Sequence, residues 1–342
     1  MPNIKVASAH VAPVFLDLDA TIEKACSIIS EAAGNGAQLV ALPETYIPAF
    51  PVWSALRAPI YNHDLFCRLV ANSILVDGPE MARLCAAARE NEILVSVGFN
   101  EITTSSVGCI YNSNVLIGED GAILNHHRKI VPTFYEKLSW SPGDGAGLRV
   151  CATNCGRIGM LICGENTNPL ARYTMMAEGE QVHISTYPPV WPSHEPGDRT
   201  YDLAHAIRLR AGAHSFEAKA FNIVSSGFMD KAMFEFLAGL DTKAAEILEA
   251  SPRSVSLVTG PNGTPISDER SDEEGLLYAE FDLSEAVELK QFHDVSGGYN
   301  RFDIFHLTVN RTRHRPIQFS HASTRESQSE IHGAREESTD SA

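Results

Sequence analysis

Short apolar runs alternate with longer amphipathic segments along this chain, and this alternation limits the folds it can adopt. Apolar runs bounded by turn residues are typical of buried strands, and apolar residues spaced three or four apart are typical of helices that cover a sheet. Strands are predicted at 4–10, 38–42, 93–98, 111–117, 122–127, 157–162, 181–186, 221–226, 255–257 and 276–281, and helices at 19–33, 79–90, 169–177 and 202–220. The pattern therefore predicts an α/β fold, with antiparallel pairing where the turn at 119–121 joins two strands.

The pattern continues to about residue 313 of the 342 residues. No stretch before that point has the composition of an interdomain linker, so residues 1–313 are predicted to form one domain. Residues 314–342 are polar and contain few apolar side chains, and a segment of that composition cannot bury enough apolar surface to become ordered by itself. We therefore expect one domain followed by a disordered C-terminal tail.

Composition argues against several classes of function. The chain has 43 acidic and 27 basic residues, a net charge of −16, which argues against a nucleic-acid partner because phosphate binding depends on Lys and Arg. There is no run of eighteen apolar residues and no signal-peptide pattern, so no membrane association is expected. The seven cysteines include no CxxC pair, which argues against disulfides and structural zinc and favours a reducing, cytoplasmic location.

One cysteine stands where a nucleophile is expected. The apolar run 157–162 ends at Cys163, which is followed by Gly164 and a carboxylate. A cysteine on a sharp turn after a rigid strand is exposed at a sheet edge, and Asn166 is predicted to cap the next helix. Proximity to a helix N-terminus would favour the thiolate. The alternative is a buried structural cysteine, which this segment alone does not exclude.

Three charged residues stand at or just beyond other predicted strand ends. Glu44 closes an apolar run, Lys129 follows basic residues, and Glu136 comes seven positions after Lys129. A thiol needs a base, which a carboxylate such as Glu44 can supply. A fixed cation such as Lys129 would stabilise the negative charge that develops when a C≡N or C=O carbon is attacked. Glu136 would hold the lysine or orient a water, although each residue alone also fits a solvated surface position.

These residues belong to motifs that occur in a fixed order. The motifs are Ala41-Leu-Pro-Glu44-Thr45, Arg128-Lys129-Ile-Val-Pro-Thr133 through Glu136, Trp140 to Gly147, and Cys163-Gly-Glu-Asn-Thr-Asn-Pro-Leu-Ala-Arg172 with Gln181-Val-His183 after it. In these motifs the chain resembles the nitrilase branch of the carbon–nitrogen hydrolase superfamily. The resemblance covers nearly the whole chain up to the tail.

The resemblance implies a four-layer αββα sandwich that pairs as αββα–αββα in a homodimer or a larger, spiral assembly. It implies that Cys163 is the nucleophile, Glu44 the general base, Lys129 the stabiliser of the tetrahedral intermediate, and Glu136 a second carboxylate with a structural or proton-handling role. The implied reaction converts a small-molecule nitrile to a carboxylic acid and ammonia through a thioimidate and a thioester. It requires no metal and no cofactor.

Substrate contacts are predicted from position in the sequence. Tyr46, Tyr187 and Trp191 follow motif segments closely, and Gly164 stands where many nitrilases carry Trp. Aromatic side chains near a nucleophile suit an apolar nitrile, although each of them also fits a core position. Glycine at position 164 either leaves space beside the pocket or provides a positive φ.

Three other functions stay open on the sequence. A nitrile or cyanide hydratase would stop at the amide, and an amidase or carbamoylase would start from one. A non-catalytic interaction protein would keep the fold without the chemistry. The long run after Cys163 resembles the nitrile branch and disfavours the amidase, while the presence of Cys163, Glu44 and Lys129 together disfavours the non-catalytic protein.

Overall fold

The computed structural model describes residues 3–198 and 201–317. In these residues the strands are β1 (Ile4–His10), β2 (Leu39–Ala41), β3 (Leu94–Thr103), β4 (Ser106–Ile117), β5 (Ile123–Arg128), β6 (Cys151–Thr153), β7 (Gly156–Ile162), β8 (Val182–Tyr187), β9 (Phe221–Ser226), β10 (Leu257–Thr259) and β11 (Gly275–Phe281). The helices are α1 (Leu18–Gly34), α2 (Trp53–Leu56), α3 (His63–Ala71), α4 (Pro79–Glu90), α5 (Pro169–Ala177), α6 (Leu203–Ala218), α7 (Lys231–Ala238), α8 (Thr242–Ala250) and α9 (Glu285–Phe292).

The strands form two mixed sheets. The first has the order β11-β1-β2-β3-β4-β5 and the second the order β10-β9-β8-β7-β6. The central strands pair in parallel in both sheets, whereas the outer pairs are antiparallel. The predicted hairpin is present, with Ser113 opposite Arg128 in β4 and β5. Parallel strands that are buried on both faces account for the nearly continuous apolar runs in the sequence.

Apolar side chains cover both faces of each sheet. The two sheets pack face to face through residues such as Val6 and Leu39 from the first and Ile184 and Ile223 from the second. The outer face of the first sheet packs on α1 and α4, and that of the second packs on α5 and α6. The predicted αββα sandwich is therefore confirmed.

The sequence pattern missed α3, α7, α8 and α9, which have only eight or nine residues each. Such short helices show too few apolar repeats to stand out from their surroundings. Two of them carry a capping signal, because Asp230 and Asp241 accept hydrogen bonds from backbone amides at the starts of α7 and α8.

The strand predicted at 255–257 is displaced, because pairing with β9 begins only at Leu257 and continues to Thr259. The side chain of Ser256 instead accepts a hydrogen bond from the backbone N–H of Ser226 at 2.9 Å. A side chain that bonds neighbouring backbone in this way competes with the regular ladder.

Ordered contacts reach the predicted end of the domain. Arg313 pairs with Asp144 at 3.3 Å, and the backbone N–H of His314 donates to the same carboxylate at 2.9 Å. Residues 318–342, most of the predicted tail, lie outside the described residues. Within the described part of the chain, no helix combines the length and apolar character needed to cross a bilayer.

Candidate active site

The four predicted catalytic side chains meet at one place. Glu44 and Lys129 follow β2 and β5 of the first sheet, Cys163 follows β7 of the second, and Glu136 lies on a short 3-10 turn at Phe134–Leu138. All four are at most 5% exposed. A carboxylate oxygen of each glutamate and the Sγ of Cys163 lie within 4.8 Å of one another. The two sheets thus bring together residues that are 119 positions apart in the sequence (163 − 44).

Lys129 connects the two carboxylates. Its Nζ donates to Glu44 Oε1 at 2.7 Å and to Glu136 Oε1 and Oε2 at 2.9 and 2.7 Å. Glu136 also accepts a hydrogen bond from the backbone N–H of Thr133 at 2.6 Å. The ammonium is therefore fixed by three charge-assisted bonds in a site from which water is largely excluded.

Glu44 has one occupied and one free oxygen. Its Oε1 accepts hydrogen bonds from Lys129 and from Asn112 Nδ2, each at 2.7 Å, whereas its Oε2 is buried without a hydrogen-bond partner. Asn112 was not predicted from the sequence. Burying a carboxylate oxygen without a hydrogen-bond partner costs folding free energy. Glu44 Oε2 is therefore interpreted as an acceptor that is kept available for a proton.

Cys163 occupies a strained turn. It adopts a φ of +48° at the start of a 3-10 turn that ends at Thr167. A positive φ is unfavourable for any residue with a Cβ, so the surrounding structure must hold it there. The predicted cap is wrong, because Asn168 and not Asn166 accepts hydrogen bonds from the first amides of α5. The helix begins only at Pro169, which the intervening turn separates from the thiol.

Burial dominates the electrostatics of this site. It raises the pKa of the Cys163 thiol well above its usual value; the charge on Glu44 adds to this effect and Lys129 opposes it. Burial alone would lower the pKa of Lys129, but Glu136 and Glu44 raise it well above its usual value. At neutral pH the lysine is therefore charged and the thiol is protonated. The helix N-terminus was expected to favour the thiolate, but desolvation outweighs the attraction of the nearby positive charge.

Glu165, which also was not predicted, ties the two halves of the site together. Its Oε1 accepts from the backbone N–H of Ile130 at 2.6 Å, and its Oε2 accepts from the backbone N–H of Ile162 at 2.8 Å and from His127 Nε2 at 2.8 Å. Ile130 is adjacent to Lys129 and Ile162 is adjacent to Cys163. One carboxylate therefore fixes the spacing between the cation and the thiol.

The match to known proteins agrees with this geometry. Residues 5–291 match the family model described as carbon-nitrogen hydrolase. The chain belongs to the carbon–nitrogen hydrolase family. An arylacetonitrilase of Hypocrea virens is 37% identical over 317 residues, which cover 91% of this chain and 93% of the relative. An arylacetonitrilase of Aspergillus kawachii is 36% identical over 309 residues, which cover 90% and 92%.

A solved structure supports the fold of this carbon–nitrogen hydrolase. Saccharomyces cerevisiae Nit3, a member of branch 10 of the nitrilase superfamily, superposes with a TM-score of 0.66 at 19% identity. The superposition covers 87% of this chain and 97% of that one. The family match and the curated relatives confirm the family predicted from the motifs, and the solved structure shares the fold.

The predicted substrate contacts occupy two different places. Tyr187 and Trp191 lie in the same apolar cluster as Cys163. Tyr46 lies in the cluster beneath α1 and α4 and lines a small cavity together with Glu44. Tyr135 was missed by the sequence analysis; its ring stacks on Trp191 with centroids 4.6 Å apart. Tyr135 also lines a cavity of about 280 Å³ that opens beside this aromatic pair.

Glycine is required at position 164 because of a neighbouring side chain and not because of its backbone angle. Its φ is not in the left-handed region, which Cys163 occupies instead, so the alternative of a positive φ at Gly164 is wrong. A Cβ at this position would lie 2.8 Å from Thr133 Oγ1. The space beside Gly164 is therefore taken by Thr133, whose backbone N–H holds Glu136.

Gly164→Ala should lower both kcat and the free energy of unfolding, the latter by about 1–3 kcal/mol, because the new methyl group displaces Thr133. The double variant Gly164→Ala/Thr133→Ala removes the obstructing hydroxyl and should recover much of both losses. Thermal unfolding and steady-state kinetics of the two variants check this. Equal damage in the single and double variants would contradict the steric explanation.

Among the described residues, two groups of side chains have the residue types of a metal site. Donor atoms of Glu44, Glu136 and Cys163, and of Glu180, His183 and His214, lie within 4.8 Å of one another in each group. In the first group the Lys129 ammonium already bonds to both carboxylates. In the second group each oxygen of Glu180 is bonded to one imidazole. A metal would have to displace these bonds in either group.

Glu136 should make stability depend on pH. Burial raises its pKa to about 7, against the pull of Lys129. The folded-state pKa of Glu136 lies above its unfolded value of about 4.3, so proton uptake stabilises the folded state. This stabilisation is complete below about pH 4.3 and is lost as the pH rises through about 7. Over this window the contribution falls by roughly 4 kcal/mol.

Glu136→Gln should remove this slope between about pH 4.5 and pH 7. Urea unfolding of the wild type and the variant at several pH values measures it. Glu249→Gln on the exposed face of α8 is the matched control and should keep the wild-type slope. A slope that persists in Glu136→Gln would show that another group takes up the proton.

Proposed function

We propose that this carbon–nitrogen hydrolase converts an organic nitrile to a carboxylic acid and ammonia, with Cys163 as the covalent nucleophile. The observation that carries the proposal is the free, buried Oε2 of Glu44 beside a protonated thiol and a fixed ammonium. A neutral thiol needs a base within reach, and Glu44 supplies one whose other oxygen is already held in place. The names of the two arylacetonitrilase relatives support the nitrile as substrate.

The first step forms the carbon–sulfur bond. Glu44 Oε2 accepts the thiol proton while the Sγ of Cys163 attacks the nitrile carbon, and one C–N π bond breaks. The electron pair moves to nitrogen, where the ammonium of Lys129 stabilises the charge. Transfer of the proton from Glu44 to nitrogen then gives a neutral thioimidate.

The following steps consume two waters. Glu44 takes a proton from the first water as the water oxygen adds to the thioimidate carbon, and returns this proton to the nitrogen, which becomes an amine. A second proton, from the added hydroxyl group, passes through Glu44 to this amine, which leaves as ammonia. The carbon–nitrogen bond breaks and a thioester remains on Cys163. The second water, activated in the same way, cleaves the thioester to the carboxylic acid, and Glu44 returns the proton to the thiolate.

The substrate side chain is proposed to be apolar and aromatic. Tyr135, Tyr187 and Trp191 share an apolar cluster with Cys163, and Tyr135 also lines a cavity of about 280 Å³. Aromatic walls suit an aryl group that enters with its nitrile pointing at the thiol. Arylacetonitriles are therefore the proposed substrate class, with Tyr46 and Gly164 as further predicted contacts.

A nitrile panel tests this function. Phenylacetonitrile, benzonitrile and propionitrile are supplied separately, and ammonia, amide and acid are quantified for each, with Cys163→Ala as control. We expect one ammonia per acid and the highest kcat/KM with phenylacetonitrile. Amide as the main product would favour the hydratase, and turnover of phenylacetamide without turnover of nitriles would favour the amidase.

We further propose that residues 1–313 form the catalytic domain and that the protein is a cytoplasmic homo-oligomer. Exposed apolar side chains on α5 and in the segment that follows α9 support assembly, among them Leu170, Phe302 and Phe305. They line a groove of about 1090 Å³, and apolar surface of this extent is typical of contact sites. Analytical ultracentrifugation of the full chain tests the assembly, which a monomer at micromolar concentration would contradict.

A further inference from the structure

A second buried cluster of ionisable side chains lies outside the proposed reaction path. Glu180 precedes β8, His183 lies on β8 and His214 on α6. The side chains of all three are fully buried. Glu180 Oε2 bonds to His183 Nδ1 at 2.9 Å and its Oε1 bonds to His214 Nε2. Burial of a carboxylate and two imidazoles is costly, so the arrangement calls for a function.

This cluster is connected to the nucleophile through Asn166. Its Oδ1 is 3.0 Å from His183 Nε2 and accepts a hydrogen bond from Ser185 Oγ at 3.2 Å. Its Nδ2 donates to the backbone carbonyls of Leu161 and Cys163 at 3.3 and 3.1 Å. Asn166 therefore holds the end of β7 and the carbonyl of the residue with the strained φ.

The position of the protons follows from these contacts. Two carbonyls face one end of the Asn166 amide, so that end must be the NH₂ group and the other end must be the oxygen. His183 Nε2 faces this oxygen and must carry a proton to bond with it. His183 Nδ1 faces the Glu180 carboxylate, and this contact also requires a proton between the two atoms. The Glu180–His183 pair therefore holds two protons, one on Nε2 and one shared between Nδ1 and Glu180. An ionised Glu180 beside a neutral imidazole would hold only one.

We propose that Glu180, His183 and Asn166 form a positioning unit for Cys163, in which the proton shared by Glu180 and His183 keeps Nε2 protonated and thereby locks Asn166 onto the backbone of the nucleophile turn. The three residues do not touch substrate. They hold a strained backbone in place, which a reaction that depends on the aim of one Sγ requires. The proposal rests on the proposed role of Cys163 as nucleophile.

Neighbouring charges disfavour the proton shared by Glu180 and His183, so its presence depends on the hydrogen bonds of His183. Burial, followed by the effect of His214, lowers the pKa of His183 to about 4, while Glu180 opposes the shift and Arg172 of α5 adds to it. These effects work against the extra proton, so the contacts of His183 with Glu180 and with Asn166 Oδ1 must hold it in place. Burial would raise the pKa of Glu180, but the two histidines lower it. Loss of the carboxylate should therefore strip the extra proton from His183 and leave its tautomer free to change.

Two substitutions of Glu180 separate positioning from simple packing. In Glu180→Gln the amide oxygen can accept from His214 Nε2, and the amide NH₂ can donate to His183 Nδ1. His183 then becomes neutral but keeps its proton on Nε2, so Asn166 stays locked. In Glu180→Leu neither bond forms, and His183 is free to place its single proton on Nδ1.

The readouts are kcat and KM, the rate of Cys163 alkylation by iodoacetamide, and histidine side-chain ¹⁵N NMR at pH 7. We expect Glu180→Leu to lower kcat and the alkylation rate at least tenfold with KM within threefold of the wild type. Glu180→Gln should keep all three within threefold, and His183 should carry a proton on Nε2 in the wild type and in Glu180→Gln.

A bare Nε2 on His183 in the wild type would overturn the proposal, as would equal losses in both variants or unchanged alkylation in Glu180→Leu. Stoichiometric zinc in the purified wild-type protein, lost in Glu180→Gln, would also overturn it by making the cluster a metal site. If Glu180→Leu does not fold, the NMR spectrum of the wild type and the kinetics of Glu180→Gln still test the proposal. Alkylation needs no nitrile, so a wild type that is alkylated but hydrolyses no nitrile refutes the proposed function while the positioning test stands.

Discussion

Cys163→Ala should lower kcat for nitrile hydrolysis by about 10⁴-fold or more, since loss of a covalent nucleophile typically leaves only background turnover. The free energy of unfolding should fall by only about 1 kcal/mol, because the substitution removes a single sulfur atom from a buried position. Cys155→Ala, at a cysteine that is equally buried outside the site, is the matched control and should keep its activity. Activity retained in Cys163→Ala would refute the nucleophile assignment.

Cys163→Gly should be equally inactive but more stable than Cys163→Ala. The φ of +48° at this position is unfavourable for alanine as for cysteine, whereas glycine adopts it freely. Removing this strain should favour the glycine variant by about 1 kcal/mol. Denaturant unfolding of both variants measures the difference. A glycine variant no more stable than the alanine variant would show that the turn is not strained in solution.

Two of the catalytic residues, Glu44 and Cys163, could be predicted because each stands just after an apolar run. The runs before Glu44 and Cys163 became β2 and β7 and the loops that follow them, so a polar residue at the end of a buried strand was informative. Asn112, in contrast, lies within β4 and reaches Glu44 only through the pairing of distant strands. Contacts of this kind depend on the order of the strands in the sheet, and a local sequence pattern does not predict that order.

The protonation state of the site also could not be predicted. Proximity of Cys163 to a helix start suggested a thiolate, but the fold buries the thiol beside Glu44, and burial decides the direction of the pKa shift. The same limit applies to Glu165 and Tyr135. Their contacts bridge the two sheets or the loops beyond them, so their roles became visible only once β5 and β7 were placed in space.

Lys129→Met should have the largest combined effect on stability and activity. It leaves Glu44 and Glu136 buried with no compensating cation, since both now bond to the same ammonium. Removing one partner of a buried ionic group costs about 3–5 kcal/mol at neutral pH. The developing charge on the nitrile nitrogen also loses its stabiliser, so kcat should fall by at least about 10²-fold.

The pH dependence distinguishes this electrostatic loss from a packing defect. Without Lys129, which now lowers the pKa of Glu136, that pKa rises further above its unfolded value, and both buried carboxylates lose their cation. The variant should therefore be most stable at low pH and lose stability as the pH rises, so its deficit relative to the wild type narrows below about pH 5. Lys129→Met/Glu136→Gln removes one of the two charges and should recover part of the stability at pH 7 but none of the activity. A deficit that stays constant from pH 4 to pH 8 would show that Lys129 is held for its packing and not for its charge.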